Sequence, residues 1–304
     1  MPDLHINIGK LKLRNPVMAA SGTFGYAEEF ADFMDLRQLG AVVTKTITLK
    51  PRQGNPPPRT CETPAGMLNS IGLENPGIEV FLKEKLPLLK KIGIPVIVSI
   101  ASEGGQGEFV ELARRLAKIR EVAAVELNIS CPNIRGKPLL ISQNAKSTYE
   151  LTMAVRRVIK KTLIVKLSPN VTDIAEIAQA AQAGGSDAVS LINTLVGMSI
   201  DTEKFQPKLA AVTGGLSGPA IRPIAVRIVW EVYKKIKIPI IGMGGIINTS
   251  DAVEFFLAGA TAVSVGTANF INPRATIEII QGLKDYLAKN KFKSIRQVIG
   301  KLKT

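Results

Sequence analysis

The chain is poor in the residues that build metal centres and disulfide frameworks. Its 304 residues include one histidine, His5, and two cysteines, Cys61 and Cys131. Two cysteines cannot form a disulfide scaffold or a four-cysteine metal site, and a single histidine argues against a multi-histidine metal site or a histidine-based triad. We therefore expect no metal ion in this chain.

Long apolar runs and aromatic side chains are also scarce. No run approaches the roughly 18 residues that cross a bilayer, and Met1–Asn15 lacks the apolar stretch of a secretory signal. We expect a cytoplasmic protein that does not bind a membrane. Aromatic residues make up 5% of the chain and hydrophobic residues 46%. The core must therefore consist mainly of Val, Ile, Leu and Ala, as in buried parallel strands.

Acidic residues are outnumbered by basic ones, 25 to 39, which gives a formal net charge of +14. Such a charge favours anionic partners, including phosphates, carboxylates and nucleic acid, without choosing among them. The lysines are spread over helix-like segments, and we expect most of them to form a solvated surface. No aromatic-rich basic stretch or zinc-finger spacing indicates a nucleic-acid reader, so we predict no nucleic-acid partner.

One pattern repeats along the chain: a short Val- and Ile-rich run ends in polar residues, and a segment with helical spacing follows it. The predicted strands are Val17–Gly22, Ala41–Ile47, Pro95–Ala101, Ala124–Ser130, Leu163–Pro169, Ala188–Thr194, Pro239–Ile246 and Ala262–Ala268. The predicted helices lie near Ala27–Arg37, Ile78–Lys91, Glu108–Arg120, Lys146–Lys161, Asp173–Ala183, Pro219–Lys235, Ser250–Ala258 and Pro273–Lys289. Eight alternations favour a closed (β/α)8 barrel, and an open doubly wound sheet stays possible.

The rest of the chain completes this architecture. We expect His5–Leu13 to form a short hairpin that closes the bottom of the barrel. No break in composition marks a second domain, so residues 1–304 are predicted to form a single domain. Two connections that follow strands, Thr48–Pro76 and Val196–Ser217, are too long for plain links. Because the loops after the strands carry the active site of a barrel, we expect both to be functional.

Polar residues cluster at the carboxyl ends of the predicted strands. Thr44-Lys45-Thr46 ends the second strand, and the fourth ends in Asn128–Asn133. Lys166 and Ser168 lie in the fifth strand, and Asn193-Thr194 ends the sixth. In a barrel these positions surround one mouth and would gather two cations, three amides and a thiol. A structural role is the better explanation for any one of them, but together they favour a small-molecule site.

Glycine turns end the last two strands, at Gly242–Gly245 and Gly266–Ala268. In barrels these two loops commonly bind phosphate through backbone amides, and glycine lets the ligand approach closely. The turns therefore predict a phosphate site, with simple tight turns as the alternative. Neither turn completes GxGxxG, and the chain has no GxxxxGK[ST] motif, so a dinucleotide fold and a P-loop lose support.

Cys131 follows the fourth predicted strand, within the expected mouth. A lone cysteine is usually a small buried hydrophobe, whereas one beside amides and lysines can act as a nucleophile or general base. Its position alone leaves both roles open. Cys61 lies in the Pro-rich loop and is expected to be incidental.

The combined motifs resemble those of class 1 dihydroorotate dehydrogenases over essentially the full length of the chain. The matching segments are Ala20–Gly22, Thr44–Thr46, Asn69–Gly77, Asn128–Asn133, Lys166–Pro169, Asn193–Thr194, Gly242–Gly245 and Gly266–Thr267. The resemblance implies a (β/α)8 barrel with FMN at its C-terminal face and oxidation of dihydroorotate to orotate in pyrimidine synthesis. It also implies class 1, because class 2 carries serine at the Cys131 position.

The resemblance assigns roles to individual residues. It implies that Cys131 removes a proton from C5 of the substrate while a hydride passes from C6 to N5 of FMN. The residues expected to hold the substrate are Lys45, Asn69, Ser70, Ile71, Gly72, Leu73, Asn128, Asn133, Asn193 and Thr194. Those expected to hold FMN are Ser21, Lys45, Thr46, Ser99, Asn128, Lys166, Ile192, Gly218, Gly244, Gly245, Gly266 and Thr267. Relatives often have Asn where Ser99 stands.

The segment Ser70–Gly77 resembles the NAD-linked subclass rather than the fumarate-linked one. The resemblance implies a partner subunit that carries FAD and a [2Fe–2S] cluster. The chain itself has no iron–sulfur cysteine set and no full dinucleotide fingerprint, so an NAD+ route would need such a partner. The expected assembly is a heterotetramer built on a homodimer of this chain.

Two other interpretations stay open at this point. A tRNA-dihydrouridine synthase is also an FMN barrel with a reactive cysteine, and the charge of +14 favours it. Such proteins carry a helical RNA-binding domain, whereas a terminal helix and a basic tail follow the eighth predicted strand here. A non-catalytic barrel that binds phosphorylated ligands is the other alternative, and the polar mouth with Cys131 argues against it.

Overall fold

The short apolar runs of the sequence form a closed barrel of eight parallel strands. The structure is a computed structural model that describes residues 2–130 and 141–303. The barrel strands are β1 (Val17–Ala19), β2 (Ala41–Val43), β3 (Val96–Ile100), β4 (Val122–Asn128), β5 (Thr162–Lys166), β6 (Ala188–Leu191), β7 (Ile240–Met243) and β8 (Ala262–Val265). Each strand pairs with the next along the chain, and β8 pairs with β1. The predicted (β/α)8 barrel is confirmed.

The barrel strands are buried on both faces, because helices cover the outside and side chains fill the inside. All five residues of β3 and all five of β5 are buried. Burying one Val, Leu or Ile side chain stabilises a fold by about 1.5–3 kcal/mol, so these runs supply much of the core. Burial on both faces also explains why the strands read as continuous apolar runs rather than as alternating patterns.

Helices follow the strands and pack around the barrel. They are α1 (Gly77–Val80), α2 (Leu86–Ile92), α3 (Gln106–Ala117), α4 (Ala145–Arg156), α5 (Ile174–Ala183), α6 (Arg222–Tyr233), α7 (Thr249–Ala258), α8 (Ala268–Ile271) and α9 (Ala275–Lys289). A π-helical turn, Phe81–Lys85, joins α1 to α2. Within residues 2–130 and 141–303, no helix is both long and apolar enough to span a bilayer.

The helix predicted over Ala27–Arg37 is wrong. These residues form two 3-10 turns instead, Glu28–Phe30 and Leu36–Gln38. Ala27 has a φ of 71°, which is outside the helical region. At the other end, the Asp35 side chain accepts a hydrogen bond from the backbone N–H of Arg37, so it competes with helical hydrogen bonding.

The predicted N-terminal hairpin is confirmed. Ile6–Ile8 pairs antiparallel with Leu11–Leu13. The N–H of Lys10, at the tip, donates to Oγ1 of Thr162 over 3.2 Å. Because Thr162 is the first residue of β5, the hairpin lies at the N-terminal end of the barrel, opposite the loops that follow the strands.

The two long connections contain strands that the sequence did not reveal. Thr60–Thr63 and Gly66–Asn69 come from the first connection, and Leu195–Met198 and Thr213–Ser217 come from the second. Together they form a four-stranded antiparallel sheet, here called the small sheet, in which Leu216 lies opposite Leu68. The pairing joins segments about 150 positions apart in the chain and fixes both connections above the barrel.

Candidate active site

A cleft opens at the carboxyl ends of the barrel strands, beneath the small sheet. Its empty volume, including the open mouth, is about 1250 Å³. The predicted site residues that line it are Ser21, Lys45, Thr46, Asn69, Ile71, Gly72, Leu73, Asn128, Lys166, Ile192, Asn193, Thr194, Gly218, Gly244, Gly245, Gly266 and Thr267. The structure therefore brings residues from the ends of seven barrel strands, and from both long connections, to one place.

Four predicted site residues are placed differently or lie outside the described structure. Ser70 is buried, and its Oγ accepts a hydrogen bond from Nδ2 of Asn55 over 2.8 Å. Ser99 is fully buried within β3 and lies behind the cleft wall. Cys131 and Asn133 fall outside the described residues.

A row of hydrogen-bonded polar side chains joins three residues of the cleft lining, Thr46, Asn128 and Asn193, to two buried serines behind them. The Oγ of Ser99 lies 2.9 Å from Oγ1 of Thr46, and Nδ2 of Asn128 donates to that same Oγ1 over 3.0 Å. Ser130 then links Asn128 to Asn193, since its Oγ donates to Oδ1 of Asn128 and accepts from Nδ2 of Asn193. Residues linked in such a network hold fixed orientations, so the two amides present defined donor and acceptor groups.

Two lysines bring positive charge to the cleft. Lys166 ends β5, is buried, and its Nζ donates to Oγ of Ser21 over 3.2 Å. Lys45 follows β2 and lines both this cleft and a second recess that includes Tyr26. Burial raises the pKa of the Tyr26 phenol, so that side chain stays neutral beside Lys45. The two ammonium groups suit a ligand that carries negative charge.

The segment Ile71–Leu73 covers one side of the cleft with backbone groups. The carbonyls of Ile71, Gly72 and Leu73 accept hydrogen bonds from Asn55, Arg52 and Asn75, over 3.0, 2.5 and 2.7 Å. In the part of the chain that the structure describes, no hydrogen bond uses the N–H groups of these three residues. Consecutive amides of this kind can bind an anion such as a carboxylate.

The glycine turns present bare backbone to the cleft. Gly244 and Gly245 have φ values of 126° and 76°, which side-chain-bearing residues rarely adopt. A Cβ on Gly245 would lie 2.7 Å from the carbonyl oxygen of Gly218, a distance that real Cβ atoms do not show. Both glycines are therefore required by the backbone conformation, and Gly245 also by its close packing, while the phosphate site expected from the sequence stays a prediction.

Three residues of the cleft lining and one buried carboxyl of the barrel were not predicted from the sequence. Thr60, Met67 and Ser217 line the cleft from the small sheet, and Oγ1 of Thr267 donates to Oγ of Ser217 over 2.8 Å. Glu126 is a buried carboxyl within β4, and its Oε2 accepts from Oγ of Ser190 over 2.9 Å. One sequence signal pointed to Glu126, because a carboxylate is unusual inside an apolar strand.

The fold and the position of the cleft define a (β/α)8-barrel enzyme, since the active sites of such enzymes lie at the carboxyl ends of the strands. The sequence model of the family described as Dihydroorotate dehydrogenase matches residues 3–287. The chain belongs to the dihydroorotate dehydrogenase family. Because the family model matches nearly the whole barrel, it argues against both alternatives, a tRNA-dihydrouridine synthase and a non-catalytic phosphate-binding barrel.

Similar proteins from three bacteria carry the name "Dihydroorotate dehydrogenase B (NAD(+)), catalytic subunit". The chain is 53% identical over 302 residues to the protein of Bacteroides fragilis, with 99% of each chain covered. It is 53% identical over 302 residues to that of Geotalea daltonii, and 54% identical over 301 residues to that of Trichlorobacter lovleyi, again with 99% of each chain covered.

Proposed function

We propose that this chain binds FMN and oxidises dihydroorotate to orotate in pyrimidine synthesis, as the catalytic subunit of an NAD+-linked enzyme. The observation that carries the proposal is the convergence of two lysines, three side-chain amides and two glycine turns on one cleft. The names of the similar proteins support the same activity. We further propose that residues 1–304 act as a single domain and that the enzyme works in the cytoplasm.

The cleft fits a phosphorylated flavin together with a small substrate. Its lining combines two lysines, three side-chain amides and two glycine turns, which suit the polar ring edges and the phosphate of such ligands. Ser264 also lines the cleft, and its buried Oγ has no hydrogen-bond partner among residues 2–130 and 141–303. A buried hydroxyl without a partner is costly, so a bound ligand with polar edges would stabilise this position.

The substrate would lie against the amides of Asn69, Asn128 and Asn193. Orotate is a planar ring with amide-like edges and a carboxylate, and asparagine is the side chain that both donates and accepts in such a plane. The N–H groups of Ile71–Leu73 and the ammonium of Lys45 would hold its negative charge. The small sheet would keep water from the bound ring, as covering loops do in other enzymes.

Bound FMN supplies the acceptor for the hydride that leaves C6 of the substrate. Lys166 would stabilise the negative charge that the ring gains near its N1/O2 edge, because a fixed ammonium needs no reorganisation during the reaction. Cys131 would remove the proton from C5, a role supported by the class 1 motif. Ser130, the last described residue before it, is buried and is hydrogen-bonded to both Asn128 and Asn193.

Lys166→Met should lower the flavin content of the purified protein or slow flavin reduction by dihydroorotate by about tenfold or more. Removing a charge-assisted interaction of about 1.5–3 kcal/mol accounts for a change of this size. Flavin content from absorbance and the reduction rate from rapid mixing are the measurements. Lys12→Met, on the exposed side of the hairpin, is the control, and unchanged values for Lys166→Met would remove Lys166 from the mechanism.

Electrons should leave through a partner subunit that carries FAD and a [2Fe–2S] cluster. Iron–sulfur clusters usually need four cysteines, and this chain has two. A patch of exposed apolar side chains lies at the rim of the cleft, formed by Ile247, Phe270 and Ile271. Ile247 and Phe270 also line the cleft, so a partner on this rim patch would be close to the flavin.

Ile271→Glu should weaken NAD+ reduction by the assembled complex at least about tenfold at limiting partner concentration, with dye-linked dihydroorotate oxidation unchanged. Ile271 is 77% exposed, and a carboxylate there would oppose burial at an interface. Steady-state assays with NAD+ and with a dye measure the two activities. Leu302→Glu is the control. The backbone N–H of Leu302 donates to the carbonyl oxygen of Leu257, near the C-terminal end of α7. Leu302 therefore lies at the end of the barrel opposite the cleft. Equal loss in both variants would refute this docking surface.

We propose a homodimer of this chain as the core of a heterotetramer. The outer face of the small sheet exposes Val196 and Met198, and the neighbouring hairpin Ile200–Pro207 exposes Phe205 to 90%. Apolar side chains concentrated on one surface are typical of subunit contacts. These side chains belong to other segments than the rim patch, and we propose that they form the contact with a second copy of this chain.

The experiment that tests the proposed function starts with the flavin. The purified chain should be yellow, and mass spectrometry of the released cofactor should identify FMN in an amount equal to that of the protein. The same preparation should convert dihydroorotate to orotate with a dye as acceptor. A colourless protein that does not take up added FMN would contradict the proposal.

A further inference from the structure

One buried carboxylate accepts hydrogen bonds from the backbone of the turn between β7 and α7. Asp251, in the first turn of α7, accepts hydrogen bonds at Oδ2 from the N–H of Ile247 over 2.9 Å and from that of Asn248 over 3.2 Å. In return, Oδ1 of Asn248 accepts from the N–H of Asp251 over 3.0 Å. The Asp251 carboxylate therefore fixes the path of the chain directly after Gly244 and Gly245.

Arg222 contacts this turn through its guanidinium group and through its own backbone. Nη1 of Arg222 donates to Oδ1 of Asp251, and its Nε lies 3.6 Å from a carboxylate oxygen of Glu254. Arg222 also packs beneath the glycine turn, where a Cβ on Gly245 would lie 2.8 Å from its Cβ and 3.0 Å from its backbone nitrogen. One residue at the start of α6 thus supports the glycine backbone and binds the carboxylate that orders the rest of the turn.

The charge of Asp251 would be unfavourable for a phosphate if it stood alone. The Asp251 side chain is 4% exposed, so water screens it poorly. A bare carboxylate close to a phosphate-binding turn would repel a dianionic phosphate. A guanidinium in direct contact with that carboxylate offsets the repulsion and keeps the carboxylate oxygens in place to accept from the turn amides.

We propose that Arg222 is a positioning residue for the FMN phosphate. It acts through Asp251 and through its packing under Gly245, with no contact to the flavin ring. This inference rests on the proposed function, because it assumes that the phosphate of FMN binds at the glycine turns. It assigns a task to an ion pair that lies outside the residues expected to touch substrate or cofactor.

Comparison of FMN with riboflavin tests the inference, because riboflavin lacks only the phosphate. In the flavin-depleted full chain, Arg222→Ala should weaken FMN binding about tenfold, while riboflavin binding stays within about twofold of the wild type. Fluorescence quenching of each flavin gives the dissociation constants. Arg222→Lys should recover part of the loss, since it restores the charge without the forked geometry.

Two further variants keep the test decisive. Arg227→Ala is the matched control, because Arg227 lies on the same helix in an exposed ion pair with Glu231, and its FMN affinity should equal that of the wild type. Asp251→Asn replaces one acceptor oxygen by an amide NH₂ group that cannot accept from the N–H groups of Ile247 and Asn248. We expect the resulting loss of order in the turn to outweigh the removed negative charge, so FMN binding should weaken more than riboflavin binding. This variant covers the case of an Arg222→Ala variant that fails to fold. Equal losses for both flavins, or no loss for either, would overturn the inference. A wild-type chain without affinity for FMN would instead overturn the proposed function.

Discussion

Cys131→Ala should lower the rate of dihydroorotate oxidation at least about 100-fold while FMN stays bound. General bases contribute roughly 10²–10⁴-fold to a rate, and alanine leaves no group that can take the proton from C5. The FMN contacts proposed for the cleft do not involve the thiol, so flavin content should match that of the wild type. Turnover with a dye acceptor and the absorbance of the bound flavin measure the two quantities.

The second cysteine of the chain provides the control for this substitution. Cys61 lies on the small sheet, where its Sγ contacts the carbonyl oxygen of Glu62, and Cys61→Ala should retain wild-type turnover. Wild-type turnover should rise with pH as the base loses its proton, and this rise should vanish in Cys131→Ala. Near-normal oxidation by Cys131→Ala would show that another group is the base.

The purified chain without a partner should reduce dyes but show no NAD+ reduction above the background. Dyes can reach a flavin in the open cleft, whereas transfer to NAD+ needs a second flavin site and a one-electron relay that two cysteines cannot supply. Parallel assays of one preparation, with a dye and with NAD+, measure this difference directly. Adding an electron-transfer subunit that carries FAD and a [2Fe–2S] cluster should restore NAD+ reduction.

Efficient NAD+ reduction by the lone chain would refute the partner hypothesis and leave dihydroorotate oxidation in place. Loss of dye reduction would have the opposite meaning, because it would remove the oxidation itself. The two assays therefore separate the proposed reaction from the proposed route of its electrons.

The barrel could be predicted from the sequence because its strands are buried on both faces. Such strands read as short Val- and Ile-rich runs, and all eight predicted runs contain or overlap a barrel strand. The ends of a helix could be predicted where a side chain caps its backbone, as Asp173 does at the start of α5. The helix expected over Ala27–Arg37 failed because local side-chain bonding and one positive φ value interrupt it.

The small sheet could not be predicted because its strands find their partners far away in the chain. Met67 pairs with Ser217, and local sequence patterns carry no information about such a contact. Residues such as Thr60 and Ser217 reach the cleft only through this pairing. That both long connections would lie near the cleft could nevertheless be expected, since they follow strands and exceed the usual length of a link.

Most of the cleft could be predicted because barrel topology places strand ends together. Lys45, Asn128, Lys166 and Asn193 meet there as the order of the strands requires. Ser99 is different, because its side chain lies one layer behind the cleft and supports Thr46. The Arg222–Asp251 ion pair could not be predicted from the sequence, because it joins residues at the starts of two separate helices. Local sequence patterns carry no information about such a contact.

Anaerobic titration of the purified chain with dihydroorotate tests the central claim most directly. The visible absorbance of bound FMN should bleach in proportion to the added substrate, and an equal amount of orotate should appear. Flavin that stays oxidised in the presence of excess dihydroorotate, with no orotate formed, would contradict it.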